Sequence, residues 1–128
     1  MEILLPQVTR MLADGKAAVP QQEVRVGYVS RGDCAAAAAA VLVKPGNDNR
    51  IYDITGPALL GVREIAAAAT AATGKAIALS PADPAAPAAR AFAGPSLAFT
   101  STAVADLTGR PATTIQVFLA ENRGRLPA

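Results

Sequence analysis

The side chains that could do chemistry are few in this chain, and they do not form a catalytic pattern. The 128 residues include a single cysteine, Cys34, and no histidine. Zinc sites built from cysteine and histidine are therefore excluded, as are nucleophilic triads that use a histidine base. A helix N-terminus can lower a thiol pKa and activate it, but a small buried hydrophobic residue is the simpler interpretation of Cys34.

The glycine spacings that hold a dinucleotide are also missing. Gly27 and Gly32 are separated by YVSR, and Gly56 and Gly61 by PALL, so neither pair forms the tight turn of a G-x-G-x-x-G motif. There is no P-loop, and neither tyrosine is followed four residues later by a lysine. We expect that this chain alone holds no cofactor and no metal, and the sequence assigns no catalytic residue.

The amino-acid composition is typical of a globular chain with a small hydrophobic core. The chain is 52% hydrophobic and 17% charged, but much of the hydrophobic share is alanine and only 4% is aromatic. Alanine buries little apolar area, so we expect marginal stability or support from a partner or a second copy. The net charge of +2 comes from scattered residues, which predicts no nucleic-acid partner. No apolar run is long enough to predict a membrane span, and the lone cysteine fits a reducing, cytoplasmic setting.

Periodicity predicts an α/β chain of a few short strands and four to five helices. We treat residues 1–128 as a single domain or a domain fragment. The predicted strands are 24–29, 50–55 and 76–80, with an extended segment at 97–100. The predicted helices are 3–14, 34–43, 62–73, 102–108 and 114–122, with 16–23 as a loop and a possible short helix within the Pro/Ala-rich residues 81–96.

The helix predicted over 34–43 has no polar side chain in ten residues. A helix that is apolar all round is buried on more than one side, so we expect neighbours on several faces. The rest of the chain can hardly supply them, which predicts that half of the cover is not encoded here. Ser30 and Asp33 compete as the cap of this helix, and Asp33 is the preferred candidate because its carboxylate can accept the free amides of the first turn. Gly61 with Glu64 predicts half a capping box for 62–73, and Thr113 with Gln116 a full one for the last helix.

The order of these motifs resembles a known family. RVGYVSRGDCAAAAAAVL, RIYDITGP, VREIAAAATAATGK and LTGRPATTIQVFLAENR follow one another as in the C-terminal half of NmrA-like atypical short-chain dehydrogenases. That group includes NAD(P)H-dependent quinone oxidoreductases. The resemblance covers about residues 3–80 and 97–123. It implies a partial Rossmann-type fold that lacks the N-terminal, glycine-rich Rossmann half.

What the resemblance implies about function is hydride transfer from NADPH to a quinone or a similar carbonyl acceptor. Because the family's NAD(P)H-binding residues lie in the absent half, the chain by itself is expected to be inactive. Tyr28, Arg31, Phe92 and Phe99 are the residues that could line a substrate pocket. The three aromatic side chains are as readily explained as core residues, and Arg31 as a solvated charge.

Two other functions stay open at this stage. NmrA-like proteins include redox-sensing regulators that bind a partner protein without catalysis. The chain could also be a stand-alone homo-oligomer in which a second copy takes the place of the missing Rossmann half.

Overall fold

The computed structural model describes residues 1–83 and 98–127, and this part of the chain contains five α-helices and a two-stranded parallel sheet. The α/β class predicted from the sequence is confirmed. The elements in chain order are α1 (Leu5–Asp14), β1 (Lys16–Val19), α2 (Arg31–Val43), α3 (Val62–Thr73), β2 (Ala78–Pro81), α4 (Ala103–Thr108) and α5 (Ile115–Glu121). Short 3-10 turns at Glu2–Leu4 and Arg123–Arg125 flank the first and last helices.

Three helices build the main hydrophobic cluster. In α1 the apolar side chains recur at helical spacing, so Val8, Met11 and Leu12 share one buried face. The helix ends at Gly15, whose φ of +63° is a left-handed conformation that glycine adopts without strain. Helix α3 packs against both α1 and α5, and α5 contributes the fully buried Leu119.

Strands β1 and β2 pair in parallel, with Ala17 opposite Leu79. The prediction of a loop over 16–23 is wrong in its first half, since Lys16–Val19 is a strand with Ala17 and Val19 buried. Two alanines gave no β-branched or aromatic signal there. The third predicted strand is confirmed, two residues later than expected at its start.

The two β-rich segments 24–29 and 50–55 form no regular ladder in the described chain. Val26 makes an isolated antiparallel bridge with Leu60, and the Gly56 amide donates to the Gly27 carbonyl at 3.0 Å. The prediction of strands is therefore wrong for this chain as it stands. Strand-forming sequence is present, but residues 1–83 and 98–127 supply no neighbouring strand for it.

Two glycines let three backbone segments cross closely. A Cβ built on Gly56 would lie 1.9 Å from the Tyr28 carbonyl oxygen, and one on Gly27 would lie 2.6 Å from the Phe99 carbonyl oxygen. Thr55 fastens the same crossing, because its Oγ1 accepts the Ser101 amide at 2.8 Å and donates to the Gly56 carbonyl at 3.1 Å. The segments around residues 27, 56 and 100 therefore meet as one unit.

Helix α2 differs most from the prediction. It begins at Arg31 and is capped by Ser30, whose Oγ accepts the Asp33 amide at 3.0 Å, so the assignment of Asp33 as the cap is wrong. Only Asp33, Ala37 and Ala40 are buried, whereas Leu42 and Val43 are 86% and 79% exposed. The expectation that this helix is buried on several sides is wrong in this chain. One face packs on α4 and on residues 52–54, and the rest lies in solvent.

Asp33 instead joins α2 to the segment between α4 and α5. The carboxylate is fully buried; its Oδ2 accepts the Thr113 amide at 2.7 Å and its Oδ1 forms an ion pair with Arg110 at 2.8 Å. Burial raises the pKa of Asp33, but hydrogen bonds from Thr113 and Ser30 and the Arg110 guanidinium outweigh it and hold the pKa below its usual value. The charged Asp33 side chain thus links α2 to the segment between α4 and α5.

The remaining helices follow the prediction closely. Helix α3 has the predicted bounds, and the Glu64 carboxylate accepts the Gly61 amide at 2.9 Å, which is the predicted half of a capping box. Helix α4 ends at Gly109 as expected. The cap of α5 is Thr114, not Thr113, since the Thr113 amide is used by Asp33.

We predict that Gly56→Ala destabilises the chain by at least about 3 kcal/mol, because the new methyl group would overlap the Tyr28 carbonyl and force backbone apart. The control is Gly32→Ala in the first turn of α2. Its added Cβ meets nothing closer than 3.8 Å, so it should be neutral or stabilising by up to about 1 kcal/mol. Urea unfolding measures both, and equal effects would contradict the crossing geometry.

We predict that Asp33→Ala costs roughly 3 kcal/mol of unfolding free energy, because Arg110 and the Thr113 amide lose their buried partner. The pKa of Asp33 is lowered by folding, so its contribution is present above the unfolded pKa of about 4 and is lost as the pH falls through the folded value. Urea unfolding from pH 7 to pH 2 should therefore bring the wild type towards the variant. A gap that stayed constant to pH 2 would contradict this assignment.

Candidate functional site

A cleft in the described chain lies between α1, β1, the segment 20–28 and the start of α3. Its volume is about 820 Å³, and it is open on one side. Apolar side chains form its floor, including Met11, Val24, Val26, Leu60 and Ile65. Gln7, Arg10, Asp14 and Lys16 bring polar and charged groups to the cleft from α1 and β1. An apolar cavity of this size with a few polar groups is typical of a small-molecule site.

Tyr28 is the aromatic residue of the cleft. It is half-buried, lines the cleft and packs against the main hydrophobic cluster. Burial raises the pKa of the Tyr28 phenol, because the phenolate loses hydration. The hydroxyl therefore stays protonated near neutral pH and can donate a hydrogen bond to a carbonyl oxygen in the cleft.

The other predicted pocket residues lie elsewhere. Arg31 is exposed in the first turn of α2, where its amide donates to the Glu2 carboxylate, and Phe99 is 42% exposed next to Gly27. Neither lines the cleft. Phe92 and the short helix expected within 81–96 lie outside the described residues, apart from the first three positions. Of the three predicted pocket residues that the structure describes, Tyr28 alone lines the cleft.

Sequence reasoning missed the wall that α1 contributes. Gln7, Arg10 and Asp14 recur every three or four residues along α1, so they share the face of the helix that borders the cleft. The spacing of these polar residues is visible in the sequence. It was not recognised as part of a site because a polar stripe opposite an apolar one is typical of any solvent-exposed helix.

The two long helix N-termini that could hold a phosphate are already occupied by carboxylates of this chain. At α2 the Arg31 amide donates to both Glu2 oxygens, at 3.0 and 3.1 Å. At α3 the Arg63 amide donates to Glu23 at 3.2 Å, and Glu64 takes the Gly61 amide. Helix N-termini are the usual sites for a pyrophosphate. The described residues of this chain therefore do not fit the phosphates of NAD(P)H.

Other site classes find little support in the described residues. Cys34 is exposed, which corrects its interpretation as a buried hydrophobic residue, and nothing beside it points to a ligand. Within 1–83 and 98–127 no three His, Cys, Asp or Glu side chains group as metal ligands do. None of the helices there is long and apolar enough to cross a membrane.

Comparison with known proteins identifies the fold to which the described structure is similar. No protein-family model matches the chain. The NAD(P)H azoreductase of Xenophilus azovorans is 37% identical over 75 residues, which are 59% of this chain and 26% of the azoreductase. The NADPH-dependent quinone oxidoreductase of Escherichia coli, solved in complex with NADPH, matches with a TM-score of 0.76 at 23% identity. A nucleoside-diphosphate-sugar epimerase of Staphylococcus aureus gives the same TM-score and identity.

The chain has the fold of one half of the NmrA-like oxidoreductases. The match covers 95% of this chain and 50% of the quinone oxidoreductase, and 93% and 48% for the epimerase. The chain thus spans about half the length of these NmrA-like structures, as the sequence resemblance implied.

We predict that isothermal titration of the isolated chain with NADPH shows no binding up to millimolar concentration. The reason is that both long helix N-termini are already filled by Glu2, Glu23 and Glu64. A micromolar dissociation constant would contradict this prediction and would point to a phosphate site on the chain itself.

Proposed function

We propose that this chain is the acceptor-binding half of an NAD(P)H-dependent oxidoreductase that reduces a quinone or a similar small carbonyl compound. The observation that carries the proposal is the cleft, an apolar cavity with Tyr28 in its wall, on a chain that has half of the quinone oxidoreductase fold. In the assembled protein NADPH supplies the hydride. The residues of this chain bind and orient the acceptor.

The character of the cleft favours a flat, weakly polar acceptor. Its floor is mostly aliphatic, which suits an aromatic or quinonoid ring, and about 820 Å³ is ample for one or two fused rings. The Tyr28 hydroxyl is the neutral donor available to a quinone oxygen. Such a hydrogen bond strengthens as negative charge develops on that oxygen during reduction.

Division of labour between two halves explains why the chain lacks a phosphate site. With the α2 and α3 N-termini occupied by Glu2 and Glu23, the nucleotide must be held by another part of the assembled protein. The azoreductase and the quinone oxidoreductase are each named for their use of a reduced nicotinamide nucleotide. We accordingly propose that this chain works together with a nucleotide-binding half and has no turnover alone.

We predict that 1,4-naphthoquinone binds the isolated chain in this cleft and that Gln7→Trp weakens the binding at least tenfold. Gln7 is an exposed residue of α1 that lines the cleft, so an indole there should fill acceptor space without disturbing the core. Quenching of tyrosine fluorescence and isothermal titration measure the affinity.

The matched control is Ala13→Trp. Ala13 is also exposed on α1, but it lies away from the cleft, so its affinity for the quinone should equal that of the wild type. No quinone binding by the wild type, or equal losses in both variants, would overturn the assignment of the cleft.

A further inference from the structure

We infer that Glu23 is a positioning residue of the cleft, whose carboxylate caps α3 and thereby holds the segment 22–28 in place for acceptor binding. This inference rests on the proposed function and concerns what keeps the acceptor site in shape. The segment 22–28 forms one side of the cleft and ends at Tyr28, the proposed hydrogen-bond donor.

Helix α3 has no cap from its own neighbouring residue. The residue before it is Gly61, which has no side chain to accept an amide of the first turn. The Glu23 carboxylate does so instead, since its Oε1 accepts the Arg63 amide at 3.2 Å. Arg63 is the second residue of the helix, and an N-cap side chain usually accepts the amide of the second or third residue. Glu23 thus caps α3 although 40 positions separate it from Arg63.

Glu23 reaches this place because position 61 has no side chain. Gly61 has φ of −106° and ψ of −173°, an extended conformation that any residue adopts, so the backbone itself does not require glycine. A Cβ built on Gly61 would lie 2.5 Å from the Oε1 of Glu23 and 2.6 Å from its Cδ. The Glu23 side chain therefore fills the space of a local cap, and the two exclude each other.

The segment 22–28 depends on few contacts for its position, because it has no helix or regular strand of its own. Val26 exchanges two backbone hydrogen bonds with Leu60, both 3.0 Å long. Arg25 forms an ion pair with Glu64 at 2.9 Å, but both side chains are partly exposed and such pairs contribute little. The Glu23 side chain is only 14% exposed, so it is the well-covered side chain that fixes the start of this segment to α3.

Hydrogen bonding and packing, rather than charge, account for the contact of Glu23 with α3. The Oε2 of Glu23 lies 4.0 Å from the Nε of Arg63, at the limit of an ion pair, and the Arg63 side chain is 57% exposed. A pair of this kind is worth little. The amide oxygen of a glutamine can accept the Arg63 amide as the carboxylate does, so we expect glutamine to replace Glu23.

The test is Gly61→Ser, which separates the capping of α3 from the position of the segment 22–28. The new Cβ displaces Glu23, which is the end of a flexible side chain, and the new hydroxyl can accept an amide of the first turn. We expect urea unfolding to show that stability is retained. The affinity for 1,4-naphthoquinone should fall at least about fivefold, because the ligand must then order the segment itself.

Substitutions of Glu23 complete the affinity measurements. Glu23→Ala should lose as much affinity for 1,4-naphthoquinone as Gly61→Ser, and Glu23→Gln should stay within about twofold of the wild type. Gly61→Ser combined with Glu23→Ala should lose no more than either alone, since both remove the same contact. Gln21→Ala is the matched control, because Gln21 is exposed two positions from Glu23 and does not line the cleft.

A second measurement does not need the quinone. The amides of Val26 and Leu60 bond between the segment 22–28 and the start of α3. Their hydrogen–deuterium exchange should be at least about tenfold faster in Gly61→Ser and in Glu23→Ala than in the wild type. Glu23→Gln and Gln21→Ala should exchange as the wild type does.

The outcomes separate this inference from the proposed function. If the wild type binds 1,4-naphthoquinone and both Gly61→Ser and Glu23→Ala bind it equally well, the inference is overturned. Additive losses in the double variant, wild-type exchange in both single variants, or equal effects of Glu23→Gln and Glu23→Ala would also overturn it. A chain that binds no 1,4-naphthoquinone but shows the expected exchange pattern would refute the proposed function and support the role of Glu23 in holding the segment 22–28.

Discussion

The structure depends on the point where three backbone segments cross, at Gly27, Gly56 and the residues around Thr100. The Gly56 amide bonds to the Gly27 carbonyl, and Thr55 links the crossing to Ser101. On one side lies the main cluster of α1, α3 and α5, and on the other the small cluster of α2 and α4. Asp33 provides a second link through Thr113. Since alanine supplies little buried area, these polar and steric links have to hold together what packing alone would leave loosely joined.

The helices were predictable because their signals are local. Apolar spacing in α1, Gly15 at its end, and the Glu64 cap of α3 are all decided within a few residues of sequence. The same local rules placed the caps of α2 and α5 wrongly by one to three residues, because a group distant in sequence binds the predicted capping residue. Ser30 caps α2 because the Asp33 carboxylate is drawn to Arg110 and Thr113, some 80 positions away in the chain. No periodicity could have shown that competition.

The strands and the burial of α2 were harder to predict because they depend on partners. β1 has two alanines at its centre and gives only a weak strand signal, yet it pairs with β2, with Ala17 and Val19 buried in the core. Segments 24–29 and 50–55 have the stronger strand sequences and no ladder. Likewise, the sequence of α2 is apolar on all sides, but the described part of the chain covers the helix on one face. The candidate site followed the same rule, since Tyr28 was foreseen and the wall from α1 was not. The prediction and the structure disagree most in α2 and in segments 24–29 and 50–55. These residues are apolar or strand-forming, as buried residues usually are, but the described part of the chain does not cover them.

The claim that joins these observations is that this chain carries half of an NmrA-like fold, in which the amides of residues 51–54 have no hydrogen-bond partner among the described residues. Hydrogen–deuterium exchange tests it most directly, both in the isolated chain and in a fusion that replaces the matched half of the Escherichia coli quinone oxidoreductase by this chain. The account predicts that the amides of 51–54 exchange within seconds in the isolated chain, while those of α3 are protected, and that fusion slows 51–54 by several orders of magnitude. Amides of 51–54 that are already protected in the isolated chain, or that stay fast in the fusion, would contradict it.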